Sequence, residues 1–143
     1  MSTDKTKLKR LRRLERLRGI ARQTALAEAA RAEQTLAQVA NLEARTAALI
    51  EAYRLRRDAH TGADLRQTRQ FVSGLTRIAD QTAADLVRAR QAADARAAEA
   101  AEAERRRAAV DERIEAAQQR IARKAAENTH PAKPSSPLGT PLE

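Results

Sequence analysis

The chain has 143 residues, a formal net charge of +9 and a charged fraction of 33%. Leu, Ile, Val and Phe together make up roughly 17% of it, too little bulky apolar material to build a globular core. Alanine, about a quarter of the residues, is the strongest helix former and loses no side-chain entropy on ordering. The composition therefore excludes a compact globule and favours long helices packed along a narrow apolar stripe.

Several other classes are excluded in the same way. Cysteine is absent, which excludes disulfide bonds and thiolate chemistry. No window is apolar enough to span a bilayer, and the basic N-terminus is not followed by the apolar run of a secretory signal. We therefore expect a cytoplasmic protein.

The first helix is predicted from about residue 4 to residue 57, with Thr3 or Asp4 as its cap. Gly19 interrupts it and lowers its helix propensity by about 1 kcal/mol, marking either a soft point or a close contact. Apolar residues recur at steps of three and four, as in a coiled-coil stripe. The predicted stripe is Leu8, Leu11, Leu14, Leu17, Ile20 and Ala21, then Leu36, Val39, Leu42, Thr46, Leu49 and Tyr53.

A short break at residues 58–64 contains Thr61 and Asp64, either of which can cap a second helix predicted from about 65 to 126. Folding the chain back here sets Tyr53 opposite Phe71 and continues to align apolar positions toward the termini. The sequence thus predicts an all-α fold, a long antiparallel two-helix coiled coil. Two consecutive four-residue steps, Ile78 to Thr82 to Leu86, predict a stutter in the second helix.

The last segment, residues 128–143, has four prolines with serine and glycine. It is predicted to be a disordered tail, which gives a domain organisation of one hairpin, residues 1–127, followed by that tail.

No catalytic arrangement is present in the sequence. It has no glycine-rich phosphate loop, no nucleophile–base set and no metal-spaced cluster; His60 and His130 have no third ligand nearby. We expect no enzyme activity, no cofactor and no metal, so that function depends on exposed surfaces.

Two surfaces are candidates. The first is the tip beside the break, Leu49, Tyr53, Phe71 and Leu75, which contains the only aromatic residues of the chain. These side chains either seal the hairpin at its turn or present partly exposed binding anchors.

The second surface is a basic N-terminal arm. Residues 1–22 hold nine Lys or Arg against two acidic residues, while five glutamates are expected alongside the arm on the second helix: Glu99, Glu102, Glu104, Glu112 and Glu115. The arm is either a solvated face without a partner or a surface that attracts nucleic acid, an anionic membrane or an acidic protein. Against nucleic acid, no aromatic residues are interleaved for stacking. Against a membrane, the apolar stripe lacks Trp and Phe and is used by the hairpin.

Two motifs carry a family resemblance. One is Leu49-Ile50-Glu51-Ala52-Tyr53-Arg54 before the break, and the other is the run from Gln70 to Ile78 after it. With the length and the mid-chain break, they resemble the FliJ family, small coiled-coil proteins of the bacterial flagellar type III export apparatus. The resemblance covers residues 4–126.

The resemblance implies an antiparallel coiled coil similar to the central stalk of rotary ATPases, which couples the hexameric export ATPase to the cytoplasmic domain of the export gate protein. It allows export chaperones as further partners and implies a peripheral location at the inner face of the cell membrane. From the residues themselves we expect no nucleic acid partner. The implied gate-binding residues are Leu42, Leu49, Tyr53, Phe71, Leu75 and Ile78, with weaker matches at Thr46 and Thr82. The termini would engage the ATPase, and the basic residues there are Lys9, Arg10, Arg12, Arg13, Arg16 and Arg18.

A second class remains open. A homodimeric structural coiled coil, or a coiled coil associated with nucleic acid through its basic arm, has the same composition and periodicity.

Overall fold

The chain folds as an α-hairpin. A computed structural model describes residues 2–56 and 61–129. It contains α1, Ser2–Arg54, and α2, Gly62–Thr129, which run antiparallel and pack against each other. The predicted fold class is confirmed. Asn128 and Thr129, predicted to begin the tail, belong to α2. The rest of the predicted tail, both histidines and residues 57–60 of the break lie outside the described residues.

The helix ends differ from the predicted bounds by a few residues, for local reasons. The backbone amide of Asp64 donates to Thr61 Oγ1 at 3.1 Å, so Thr61 caps α2 and the helix begins at Gly62 rather than at residue 65. At the end of α1, the Arg56 amide bonds to the Tyr53 carbonyl at 3.3 Å, a tighter turn that closes the helix three residues before the predicted end.

Burial along both helices follows an uninterrupted heptad repeat, which we letter a to g with a and d in the seam between the helices. In α1 every a and d position from Asp4 to Tyr53 is buried or half-buried. In α2 the same holds from Thr68 to Ile121, except at Arg96. Position a falls on Leu8, Glu15, Arg22, Ala29, Leu36, Glu43 and Ile50 in α1, and on Val72, Ala79, Leu86, Ala93, Ala100, Arg107, Ile114 and Ile121 in α2.

The predicted stripe is wrong at five residues of α1, which are exposed: Leu17, Ile20, Ala21, Leu42 and Leu49. Leu17 and Ile20 are 60% and 61% exposed, because the heptad places Glu15, Arg18 and Arg22 in the seam instead. Long polar side chains occupy such positions by laying their aliphatic stems along the neighbouring helix and keeping their charges near solvent.

The predicted stutter in α2 is also wrong. Ile78 is exposed and the small Ala79 takes its place between Leu75 and Thr82, so the steps of three and four continue unbroken. A methyl side chain here lets the two backbones approach without displacing the layers on either side.

The helices pair in two compact units. In the terminal unit, residues 2–17 and 108–129, the buried residues Val110, Ile114 and Ala117 of α2 pack along α1. In the turn unit, residues 18–56 and 61–107, the buried residues are mostly small: Thr46, Leu75, Thr82, Ala93 and Ala100. Thr46 satisfies its buried hydroxyl within α1 by donating to the Leu42 carbonyl at 2.8 Å.

Candidate functional site

Four of the exposed large apolar side chains of the turn unit share one heptad position. Leu42, Leu49, Phe71 and Ile78 are 50%, 41%, 45% and 48% exposed, and we call them the aromatic flank. All four occupy g positions, immediately before an a residue of the seam. Apolar side chains clustered at one edge of a helix pair are typical of a surface that binds another protein.

The g positions of α1 and α2 lie on the same side of the turn unit. The Arg96 guanidinium donates to Glu28 of α1 at 2.9 Å and to Glu99 of its own helix at 3.0 Å, and both glutamates are g residues. One side chain reaches two g positions only if they face the same way. The aromatic flank is therefore a single surface to which each helix contributes two residues.

Tyr53 supports this flank from the seam. Its ring centroid lies 4.6 Å from that of Phe71, with the ring planes tilted by 46°. The Arg56 guanidinium carbon lies 5.3 Å from the Tyr53 centroid, within the range of a cation–π contact. Tyr53 is half-buried, so its position is fixed by packing while Phe71 keeps almost half its surface available.

The six gate-binding residues implied by the resemblance thus fall into two groups. Tyr53 and Leu75 belong to the seam, whereas the other four form the aromatic flank. The two weaker matches, Thr46 and Thr82, are buried in the seam and unavailable to a partner.

A shallow groove next to Phe71 was not foreseen. Its lining adds Arg56 and Leu65 to the two rings, and Leu65 is 58% exposed although it continues the seam spacing of α2. The helix-start signal at Thr61 could have indicated this exposure, because α2 begins at Gly62, next to the connection between the helices, while α1 ends at Arg54.

The predicted basic residues differ in their surroundings. Five of them are exposed and spread over the outward faces of the terminal unit: Lys9, Arg10, Arg12, Arg13 and Arg16. Arg18 instead is a half-buried d residue of the turn unit, where the heptad sets it opposite Arg107. Arg107 Nε is buried without a hydrogen-bond partner among the described residues. The heptad thus places two arginines in one layer of the seam, and the Arg18 side chain lines a groove with Glu99 and Glu102.

The glutamates expected beside the arm are paired in different ways. Glu104 forms an ion pair with Arg22 of α1, but Glu102 accepts from Arg105 at 2.7 Å and from Arg106 at 3.1 Å within α2. The hydrogen bond from Arg105 and its charge lower the pKa of Glu102 below its ordinary value.

A second carboxyl is perturbed in the terminal unit. Asp4 is bonded to Lys124, which joins the two helices there. That hydrogen bond and the Lys124 charge hold the pKa of Asp4 below its ordinary value, with a smaller contribution from Arg120.

In the part of the chain that the structure describes, no three His, Cys, Asp or Glu side chains are grouped so as to hold a metal ion. Neither α1 nor α2 has a stretch apolar enough to cross a membrane. The chain matches no family model, no curated protein and no solved structure.

Proposed function

We propose that the chain is a non-enzymatic stalk of the flagellar type III export apparatus. It binds and stimulates the hexameric export ATPase, contacts the cytoplasmic domain of the export gate protein and escorts export chaperones. In this proposal it works in the cytoplasm, held at the inner face of the cell membrane through its partners. The observation that carries the proposal is the aromatic flank, an exposed apolar surface with three of its four residues, Leu49, Phe71 and Ile78, in the two motifs that resemble the FliJ family.

The turn unit supports the gate contact. Binding energy in protein interfaces concentrates in a few aromatic and aliphatic anchors that already hold their bound positions. Phe71 meets this condition because the Tyr53 ring packs against it and Arg56 lies over Tyr53. A gate protein that covers the aromatic flank would remove the exposed parts of four apolar side chains from water.

The terminal unit supports the ATPase contact. Its five exposed cations, Lys9, Arg10, Arg12, Arg13 and Arg16, have no ion pair within the described residues. They suit a partner that surrounds α1 with acidic groups, since they face several directions. Arg18 has a different surrounding and we assign it no ATPase contact.

The experiment is a titration of the purified protein into the candidate export ATPase, following ATP hydrolysis and hexamer assembly. We expect stimulation together with assembly. Replacing the five exposed cations by glutamine should abolish both effects, whereas replacing Arg105, Arg106 and Arg113 of α2 by glutamine should leave them within about twofold, because those side chains lie on the other helix. An active ATPase that does not respond to the protein would overturn the proposal.

The gate contact is tested separately by pull-down of the cytoplasmic gate domain. Leu42→Gln with Ile78→Gln should abolish capture, because both side chains are exposed on the aromatic flank. The matched control is Val87→Gln with Leu26→Gln, which alters two exposed apolar residues of the turn unit outside that flank. Capture that is equally weak for both pairs would show that the flank is not the gate-binding surface.

A further inference from the structure

One side of the terminal unit carries a row of cations from both helices. Lys7 and Arg10 of α1 and three arginines of α2 occupy g positions and the adjoining c positions, and all are exposed. We call this set the cationic flank; its α2 members are Arg113, Arg120 and Arg123. Only two of the five, Lys7 and Arg10, belong to the basic arm of the sequence.

Acidic groups are nearly absent from this side. The carboxylates of α2 in the same unit, Asp111, Glu112 and Glu115, occupy e, f and b positions, away from the g side. Asp4 lies near the flank but is bonded to Lys124, so its charge is offset. In the described part of the unit, Glu127 is the remaining acidic residue at a g position. The flank therefore presents a net positive charge to any planar anionic partner.

None of the five cations has a carboxylate within ion-pair distance among residues 2–56 and 61–129. Lys7 and Arg10 also line a shallow groove with Thr3. Guanidinium and ammonium groups that are not paired within the protein keep their donors available for phosphate oxygens.

An apolar side chain accompanies the cations. Leu17, at a c position of the same unit, is 60% exposed, one turn from the half-buried Leu14. The hairpin does not use Leu17, contrary to its predicted place in the stripe. An exposed leucine within a cationic row is of no use to a phosphate backbone, but at a bilayer surface it enters the boundary between headgroups and acyl chains.

We infer that the cationic flank and Leu17 bind directly to the surface of an anionic phospholipid bilayer. Arginine and lysine would bond to lipid phosphates while Leu17 inserts between headgroups. Nucleic acid is the less suitable partner: neither aromatic residue of the chain belongs to the terminal unit, where it could stack on the bases of a single strand, and a duplex would contact the cations but leave Leu17 in water. This binding is independent of the proposed stalk function, since it requires neither the ATPase nor the gate protein.

The test is flotation of the full chain with vesicles of phosphatidylcholine and phosphatidylglycerol, 70:30, at physiological ionic strength. Each basic residue near an anionic surface contributes about a fivefold gain in binding, so Arg113→Gln, Arg120→Gln and Arg123→Gln together should weaken it by roughly 100-fold. The matched control, Lys5→Gln, Lys9→Gln and Arg12→Gln, removes the same charge from the other side of the unit. It should weaken binding less than about fivefold, because those cations lie more than a Debye length from the bound surface.

Two further variants separate electrostatics from insertion and from folding. Arg113→Lys, Arg120→Lys and Arg123→Lys should keep vesicle binding and far-UV helicity. Leu17→Gln should weaken binding by about tenfold, and the deficit should persist at high salt, whereas Leu55→Gln, in the turn unit, should have no effect.

Three results would overturn the inference. They are no binding to the anionic vesicles, equal losses in the two glutamine triples, and tighter binding to a 20-base-pair DNA duplex than to the vesicles at the same salt. The second would show that vesicle binding depends only on the net charge of the protein, and the third would show that the cationic flank prefers nucleic acid to lipid.

Discussion

Tyr53 and Phe71 are in contact as tilted rings with their centroids 4.6 Å apart, although only Tyr53 belongs to the seam. Their truncations should therefore differ in effect. Tyr53→Ala removes a half-buried ring and should lower the free energy of unfolding by about 2 kcal/mol, whereas Phe71→Ala should lower it by about 1 kcal/mol or less. Urea titration of both variants, followed by far-UV circular dichroism, measures this. Equal losses would mean that Phe71 is as deeply packed as Tyr53.

Arg107 should be a destabilising residue. Its Nε is buried without a partner among the described residues, and the heptad sets Arg18 opposite it. Arg107→Leu removes the unsatisfied donor and the like-charge layer, so we expect the free energy of unfolding to rise by about 1–2 kcal/mol.

The control for this substitution is Arg105→Leu. Arg105 is exposed and pairs with Glu102 three residues away, so its loss should change stability by no more than about 0.5 kcal/mol. Chemical denaturation of both variants decides the matter. A less stable Arg107→Leu protein would show that the guanidinium has a stabilising partner in solution.

Replacing Gly19 by alanine should stabilise the fold. It lies within α1, and a methyl group added there meets no atom within 4 Å, so the close contact allowed by the sequence is absent. Gly19→Ala should raise the free energy of unfolding by about 0.5–1 kcal/mol, because alanine loses less conformational freedom in a helix. Thermal unfolding measures this gain. A fall in melting temperature would indicate that α1 bends at this residue in solution.

The Asp4–Lys124 bond should respond to acid. Lys124 holds the pKa of Asp4 below 3.8, so the folded state favours the ionised carboxyl. Its contribution to stability is then fully present above pH 3.8 and is lost as the pH falls through the lowered value. An NMR titration of the Asp4 carboxyl carbon should give a midpoint below 3.8 that moves upward in Lys124→Met. An unchanged midpoint in that variant would exclude the bond as the cause.

The hairpin and its fold-back point could be predicted because they depend on coarse features. Glycine and proline are confined to the break, the tail and two other positions, Gly19 and Gly74, and the prediction that Tyr53 lies opposite Phe71 is confirmed by their ring contact. The predicted gate and ATPase contacts stay predictions.

The rotation of each helix about its axis was harder to predict. Periodicity assigns a seam position to the bulkier of two neighbours, and so it chose Ile78 over Ala79 and Leu17 over Arg18. In a thin two-helix seam, a small side chain lets the two backbones come closer and gain dispersion contacts. This gain can exceed the loss of buried apolar area when a bulky side chain is left outside the seam. The exposed aromatic flank is the result of this competition, and a count of apolar residues alone does not reveal it.

The bond from Arg96 to Glu28 settles a choice that the surrounding alanines leave open. Ala25, Ala29 and Ala32 would pack against the alanines of α2 almost equally well if α1 slid by one heptad along its partner. After such a slip, Arg96 would meet Ala21 or Thr35 in place of Glu28, and its charge would lose its counterpart on α1. Together with the Arg22–Glu104 pair, this ion pair at the edge of the interface favours one axial stagger of the two helices, as a polar residue does in a coiled coil.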